Sequence, residues 1–272
     1  MPTVLVLNQD RYFLTDRYGR EDYDINFEYG DDTSVHFTCM LFYNNEPWFF
    51  GGEDGFTNQI SKINGCSLER VGTLAFPFYD GACTMFRQKL FLCFDRINGG
   101  NEMKLCRTAD SPFGEFTAAT YSHYNHDYHN DLTASNGRNF INFNFFLFLC
   151  LDHMLAIGGW QPKHAHSEVM DAELEWTIID DYPYSGGEYI NEVGPVYHEN
   201  NYYVFGNYGA ETDTNIGRLS CSTWTWDLIG HLKVPFFRTK PANTTIDWPW
   251  KSWCHLHSEC VPYDWWCRNS SE

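Results

Sequence analysis

The sequence predicts an all-β protein assembled from repeated four-stranded units, and three observations carry that prediction. Apolar residues followed by paired glycines recur as Phe49-Phe50-Gly51-Gly52 and Ala156-Ile157-Gly158-Gly159, with a weakened copy at Val204-Phe205-Gly206-Asn207 and a degenerate one at Leu92-Cys93-Phe94-Asp95. The apolar runs are short and bounded by polar turns, with no long stretch of helical period. Tryptophan recurs downstream of the glycines, at Trp176 and at Trp224 and Trp226.

In chain order, Val4 to Leu7 and Tyr12 to Thr15 read as strands of an N-terminal segment, residues 1–32, that can contribute to closing a ring. The repeats occupy residues 33–240. Val35, Phe37, Cys39 and Leu41 alternate ahead of the first glycines, and Ala82 to Phe86 lead the second unit. Asn44-Asn45-Glu46, Arg87-Gln88-Lys89 and Glu199-Asn200-Asn201 are polar turns, so each apolar run before the glycines belongs to a hairpin. A third strand follows at Gln59 to Ile63, Glu168 to Asp171 and Asn215 to Leu219, and a fourth carries Trp176 or Trp224 and Trp226. Four strands per repeat narrow the fold to a β-propeller of about four recognisable blades, complete or only partly closed. Glycine after the second strand lets the backbone turn where a side chain would strike the neighbouring blade. Tryptophan on an outer strand then fills the wedge between blades.

Taking Gly51, Phe94, Gly158 and Gly206 as equivalent, the successive spacings are 43, 64 and 48 residues. The surplus in the middle one coincides with Asn139 to Leu151, an apolar string that T-rich codons would encode. Residues 139–152 are therefore read as an insertion, a retained short intron, with a genuine strand or edge loop as the alternative. Removing about 14 residues restores a spacing of about 50, within the usual blade period.

Eighteen Lys plus Arg against 36 Asp plus Glu give a formal charge of -18, which opposes binding to nucleic acid or an anionic membrane. Hydrophobic residues at 43% exclude a disordered chain, and no apolar run reaches the roughly 18 residues of a membrane-spanning helix. The first residues, Met1 to Leu7, are too short an apolar run for a signal peptide. Ten cysteines without CxxC pairs favour disulfides, and hence an oxidising compartment, over a metal cluster. Cys39 and Cys66 flank Gly51 much as Cys83 and Cys106 flank Phe94, which suggests bridges Cys39 to Cys66 and Cys83 to Cys106; four buried thiols are the alternative.

With the apolar run, the diglycine and the downstream Trp in place, the chain resembles the kelch-repeat β-propellers over roughly Asp31 to Leu232. It is also similar to divergent extracellular kelch-like proteins through Gly65-Cys66, Leu68, Arg70, Gly72, Leu74, Phe76, Phe78, Gly81-Ala82-Cys83 and Leu92-Cys93-Phe94. It departs where kelch units place a Tyr before the Trp, here Met170 and Leu219, and where the second unit lacks its glycines. Beyond Pro241 the composition turns to Trp, Pro and Cys, and Cys254, Cys260 and Cys267 resemble the opening of an EGF-like module, so residues 241–272 form a separate tail. Asn243 and Asn269 head glycosylation sequons, which matter only in a secreted chain.

His123, His126 and His129 crowd one segment with Asp127 and Asp131, and imidazole with carboxylate is zinc or copper chemistry. Their Tyr- and Asn-rich surroundings instead suggest a solvated loop between blades, so no metal or other cofactor is assigned. The resemblance brings galactose oxidase into consideration, a copper enzyme of the same architecture, but no segment matches its ligand motifs. No GxSxG elbow, P-loop or HExxH is present. The expected function is therefore non-enzymatic: an extracellular propeller that binds protein or carbohydrate. An intracellular kelch adaptor and a copper oxidase are the alternatives. Trp160, Tyr124, Tyr128, Tyr184 and Tyr208 are the loop aromatics expected to contact a ligand.

Overall fold

The computed structural model of the chain describes residues 4–7, 12–15, 21–24, 28–29, 33, 38–44, 46–53, 55, 57–64, 67–97, 100–126, 132–134, 153–158, 166–183, 195–198, 200–205 and 214–232, and the structural statements below concern these. β1 (Val4–Leu7), β2 (Tyr12–Thr15) and β3 (Glu21–Asp24) pair with one another as a separate three-stranded antiparallel sheet. β4 (Glu28–Tyr29) runs parallel to the outer strand of the first four-stranded unit. That unit comprises β5 (Cys39–Tyr43), β6 (Glu46–Phe50), β7 (Gln59–Asn64) and β8 (Ser67–Thr73). The second comprises β9 (Ala82–Phe86), β10 (Lys89–Cys93), β11 (Leu105–Ala109) and β12 (Thr117–Tyr121). β13 (Leu132–Ala134), β14 (Met154–Ile157), β15 (Ser167–Met170) and β16 (Trp176–Ile179) form the third. The fourth is β17 (Val196–His198), β18 (Asn201–Phe205), β19 (Asn215–Ser220) and β20 (Thr225–His231).

Each four-stranded unit is an antiparallel meander in chain order, and none of the sheets closes on itself. The only helical element among the described residues is a 3-10 turn at Gly100–Lys104. The all-β expectation holds, and the third strands lie within a residue of where the pattern put them. The polar turns are tight: Asn44, Arg87, Gln88 and Asn200 all have positive φ, the conformation that matches a two-residue hairpin to the strand twist. The expected insertion at 139–152 is outside the described residues apart from its neighbours, as is the tail at 241–272.

The sheets pack face to face in series, because their second strands are apolar on both sides. On β10, Leu90 and Leu92 face the first sheet, where they join Leu41, Trp48, Phe50 and Ile60. The alternate residues Phe91 and Cys93 face the third sheet and join Met154, Ala156, Met170 and Trp176. Period-2 alternation on a strand buried on both faces explains why all four are buried. β14 repeats the device: Met154 and Ala156 face the second sheet, whereas Leu155 packs with Tyr202 and Leu219, and Ile157 with Tyr182 and Val204, toward the fourth. The first strands run side by side, β5 beside β9, β9 beside β13 and β13 beside β17. Trp176 is buried between the second and third sheets. Trp226 packs between the third and fourth, edge-on to Tyr182 at 5.0 Å between centroids.

The cysteine pairing differs from the expected one. Cys39 on β5 is bridged to Cys83 on β9, so the bond joins the first strands of adjacent sheets, with Cα atoms 5.7 Å apart. Cys93 is bridged to Cys106, its register partner on the neighbouring strand. The expected Cys83 to Cys106 bridge would have to cross β10, two inter-strand spacings or about 10 Å, beyond the roughly 7 Å a disulfide tolerates. Cys66, the expected partner of Cys39, lies outside the described residues.

One turn recurs where the glycine pattern placed it. Gly51, Phe94 and Gly158 have φ of 72°, 67° and 77°, and each donates its N–H to the start of the third strand, to Gln59, Leu105 and His166, at 3.0, 2.9 and 2.8 Å. The degenerate copy thus adopts the left-handed conformation without the glycine. At Gly51 an added Cβ would collide with the Phe78 carbonyl, whereas at Gly100, also left-handed, it would meet nothing. Gly51→Ala is expected to cost about 3 kcal/mol or more, against about 1 for Gly100→Ala. Urea denaturation of the two variants checks this, and equal losses would contradict the packing assigned to Gly51.

Candidate functional site

In a meander, the turns after the second strand and the connections after the fourth emerge at the same end of every sheet. At this end, backbone hydrogen bonds fold the chain that leaves the first, second and fourth of these sheets back along the start of its own third strand. Leu74 N–H donates to Asn58 O at 2.7 Å, Ser122 N–H to Lys104 O at 3.0 Å, and Leu232 N–H to Thr214 O at 2.6 Å. Four residues further on, Phe78 N–H donates to Thr57 O at 2.6 Å and His126 N–H to Met103 O at 3.0 Å. By this register Phe78 and His126 are equivalent, and so are Phe76 and Tyr124; Tyr182 lies in the corresponding connection after β16.

Those three aromatics meet the same position on the third strand of the following sheet. The Arg107 guanidinium lies 4.3 Å from the Phe76 ring centroid. Glu168 accepts the Tyr124 N–H at 2.8 Å. At Gly217 a Cβ would strike the Tyr182 ring. The same strand position is thus met by a loop residue at three junctions, while its chemistry changes from cation to carboxylate to no side chain.

The carboxylate junction gathers the most functional groups. Glu168 is wholly buried on β15 between the second and third sheets. Its Oε2 accepts the His123 N–H at 2.9 Å and His123 Nδ1–H at 2.7 Å. Its Oε1 accepts the Tyr124 N–H at 2.8 Å and faces His126 Nε2 at 3.0 Å. His126, also wholly buried, donates from Nδ1 to the Gly158 carbonyl at 2.7 Å, and its ring packs 4.9 Å from that of Phe94. Burial alone would push the Glu168 carboxyl up, but the hydrogen bond and charge of His126, with the His123 and Tyr124 N–H groups, hold it down to about 2.

Around this buried centre lies a more open layer. The Tyr124 ring stacks on the His166 imidazole, centroids 3.9 Å apart and planes inclined by 15°. His166 Nδ1 is 2.8 Å from Asp181 Oδ1, and the Asp181 side chain is 54% exposed. A second buried carboxylate, Asp95, takes the place of the second glycine of the doublet. Burial pushes its carboxyl up, against the N–H groups of Ile97 and Tyr79 and the charge of Arg107. Its Oδ2 has no hydrogen-bond partner among the described residues.

Of the expected loop aromatics, Tyr124 is in this cluster, while Trp160, Tyr128, Tyr184 and Tyr208 lie outside the described residues, as do the sequons at Asn243 and Asn269. His123 and His126 do come together, but around a shared carboxylate, with both nitrogens of His126 engaged; His129 is not described. No group of three or more His, Cys, Asp or Glu arranged to hold a metal occurs among the described residues. Sequence reasoning missed Glu168 and the partnership of His166 with Asp181. In the pairing of second and third strands Glu168 takes the place of Ser61, Arg107 and Gly217, a non-apolar column; the four follow Gly158, Gly51, Phe94 and Gly206 by 10, 10, 13 and 11 residues, so loop length hides the column from spacing.

No protein-family model matches the chain, and no curated protein shows significant similarity to it.

Because the native carboxylate stays ionised down to about 2 while an unfolded glutamate protonates near 4.5, Glu168 contributes stability above about pH 4.5 that is lost as pH falls toward 2. Glu168→Gln is expected to cost about 3 kcal/mol at pH 7 by breaking a buried pair, and to flatten the fall in stability between pH 5 and 2.5. Denaturant midpoints of both proteins across that range test it; parallel curves would contradict the assignment.

Proposed function

We propose that the chain is a non-enzymatic extracellular binding module, in which the four-stranded sheets are blades of a kelch-type β-propeller and the loop end receives a protein or glycan ligand. The propeller reading is supported by the series of face-to-face meanders with their first strands side by side. The observation that carries the binding reading is the junction position itself. Arg107, Glu168 and Gly217 occupy one strand position beside Phe76, Tyr124 and Tyr182, so one strand frame holds a connecting loop by different chemistry at each step. That is how loop-bearing β-scaffolds build recognition surfaces. The extracellular placement is supported by the oxidised pairs Cys39–Cys83 and Cys93–Cys106, since cytosolic redox buffers keep thiols reduced. An intracellular adaptor would have no need of them.

In the chain-entropy account, bridges spanning 44 and 13 residues stabilise by about 4 and about 3 kcal/mol. Reduction with dithiothreitol is therefore expected to lower the urea midpoint sharply, and protein secreted from eukaryotic cells is expected to lose mass at Asn243 and Asn269 on enzymatic deglycosylation. Unchanged stability on reduction would favour the intracellular adaptor. For ligand binding, an immobilised-protein screen against extracellular proteins and glycans is expected to yield a ligand whose binding survives Gln88→Ala, at the opposite end of the sheets. Loss at Gln88 with no effect of loop-end substitutions would contradict the assigned face.

A further inference from the structure

We propose that the face of the fourth sheet turned away from the third is a self-association surface, through which two copies of the chain pair about a two-fold axis. The inference rests on the packing of the sheets and not on ligand binding at the loop end. In the first three sheets the second-strand residues that face the following sheet are buried: Trp48 and Phe50, Phe91 and Cys93, Leu155 and Ile157. Strand pairing puts Tyr203 in the place of Trp48, Phe91 and Leu155, and Ile216 in that of Ile60 and Cys106, yet Tyr203 and Ile216 are only half-buried. The outer strands β8, β12 and β20 repeat a bulge on this same face. Its extra residues Val71 and Ala119 pack toward the second and third sheets, whereas their equivalent on β20, Ile229, is 46% exposed. Gly72 and Gly230 repeat the comparison. A Cβ at Gly72 would strike the Phe113 ring from the connection between β11 and β12, and one at Gly230 would meet Ile216 alone among the described residues. The face that a following sheet buries three times is therefore open on the fourth.

What covers such a face in this fold is another four-stranded sheet. The second and third sheets are buried on both sides, and on the first the residues turned away from the second, Phe49, Ser61 and Leu68, are buried as well. Among the described four-stranded sheets the free face of a second copy is therefore the same one, and a patch that meets itself does so about a two-fold axis. Charge agrees with this occupant. Copies of formal charge -18 repel at long range, but the ionic groups paired on this face, Arg218 and Asp227 at 2.7 Å, are one of each sign and cancel. Tyr203, Ile216 and Ile229 supply the apolar contact, with the ion pair beside it, the arrangement of apolar centre and polar rim that protein interfaces favour.

Sedimentation equilibrium of the full chain over a range of concentrations tests this. The wild type is expected to follow a monomer–dimer equilibrium that tightens as added salt screens the repulsion between copies. Ile229→Glu is expected to weaken the dimer by about tenfold or more, because a carboxylate would be buried in the apolar contact, with an unfolding transition in dilute solution close to wild type. Leu228→Glu adds the same charge one residue away, opposite Gly217 and so on the side of the third sheet, and is expected to leave the dimer within about threefold of wild type. A monomer at every concentration and salt would overturn the proposal, whether or not the variants fold, and so would assemblies larger than a dimer. A dimer that ignores Ile229→Glu would overturn it too. Equal sensitivity to the two substitutions would place the contact at the β20 edge instead of the face, and would overturn it as well.

Discussion

A left-handed residue at the end of the second strand in the first three four-stranded sheets governs the rest of the architecture. At Gly51, Phe94 and Gly158 the chain leaves its hairpin in a conformation that L side chains rarely adopt, and hydrogen-bonds at once to the start of the third strand. The connecting loop of the same sheet then settles on that turn. Phe78 covers Gly51, and His126 packs against Phe94 in the corresponding place. Where glycine is absent, Phe94 accepts backbone strain of about 1 kcal/mol or more, offset by a fully buried ring worth about 2 kcal/mol or more. The loop that connects one sheet to the next is therefore positioned by the turn it covers, and its side chains are delivered to the following sheet in a fixed register.

That register turns a repeat into a site. Replacing the buried Phe78 by its equivalent His126 brings a polar ring into an apolar junction, where it would be costly without partners. Gly158 O on one side and Glu168 on the other satisfy it, and Glu168 in turn is satisfied by four donors from the loop. A buried charged group with its hydrogen bonds complete specifies one arrangement of loop and strand. The same network holds Tyr124 over His166 at the open end. The buried half of this junction thus fixes the geometry in which its exposed half is held. Asp95 shows the contrast: it also sits at a doublet position and accepts two N–H groups, yet one oxygen stays unpaired and burial raises rather than lowers its proton affinity.

What could be read from the chain was local. Alternation, polar turns and the glycine doublets located the second strands of all four meanders and the third strands of the first, third and fourth, because hairpins are fixed by neighbours in sequence, whereas β8, β11, β12 and β13 were not placed. The degenerate copy at Phe94 was recognisable only through its flanking strands, and its left-handed backbone bears out the equivalence. Pairings between sheets were not legible. Cys39 finds Cys83 and Glu168 finds His126 through the lateral placement of successive sheets, which no spacing within one repeat encodes. The expected bridges were drawn within single repeats, and the strand lying between Cys83 and Cys106 forbids one of them. His166 likewise acquires its carboxylate, Asp181, from the connection after β16, 15 residues further along the chain.

The lateral placement of the sheets is what everything else requires, and the Cys39–Cys83 bond reports it directly, since it spans 44 residues to join β5 to β9. Mass spectrometry of peptides from protein digested without reduction is the decisive measurement. The account predicts a cross-linked pair containing Cys39 and Cys83 and another containing Cys93 and Cys106. Recovery of Cys39 joined to Cys66, or of Cys83 joined to Cys106, would mean that the first strands are not neighbours and would contradict it.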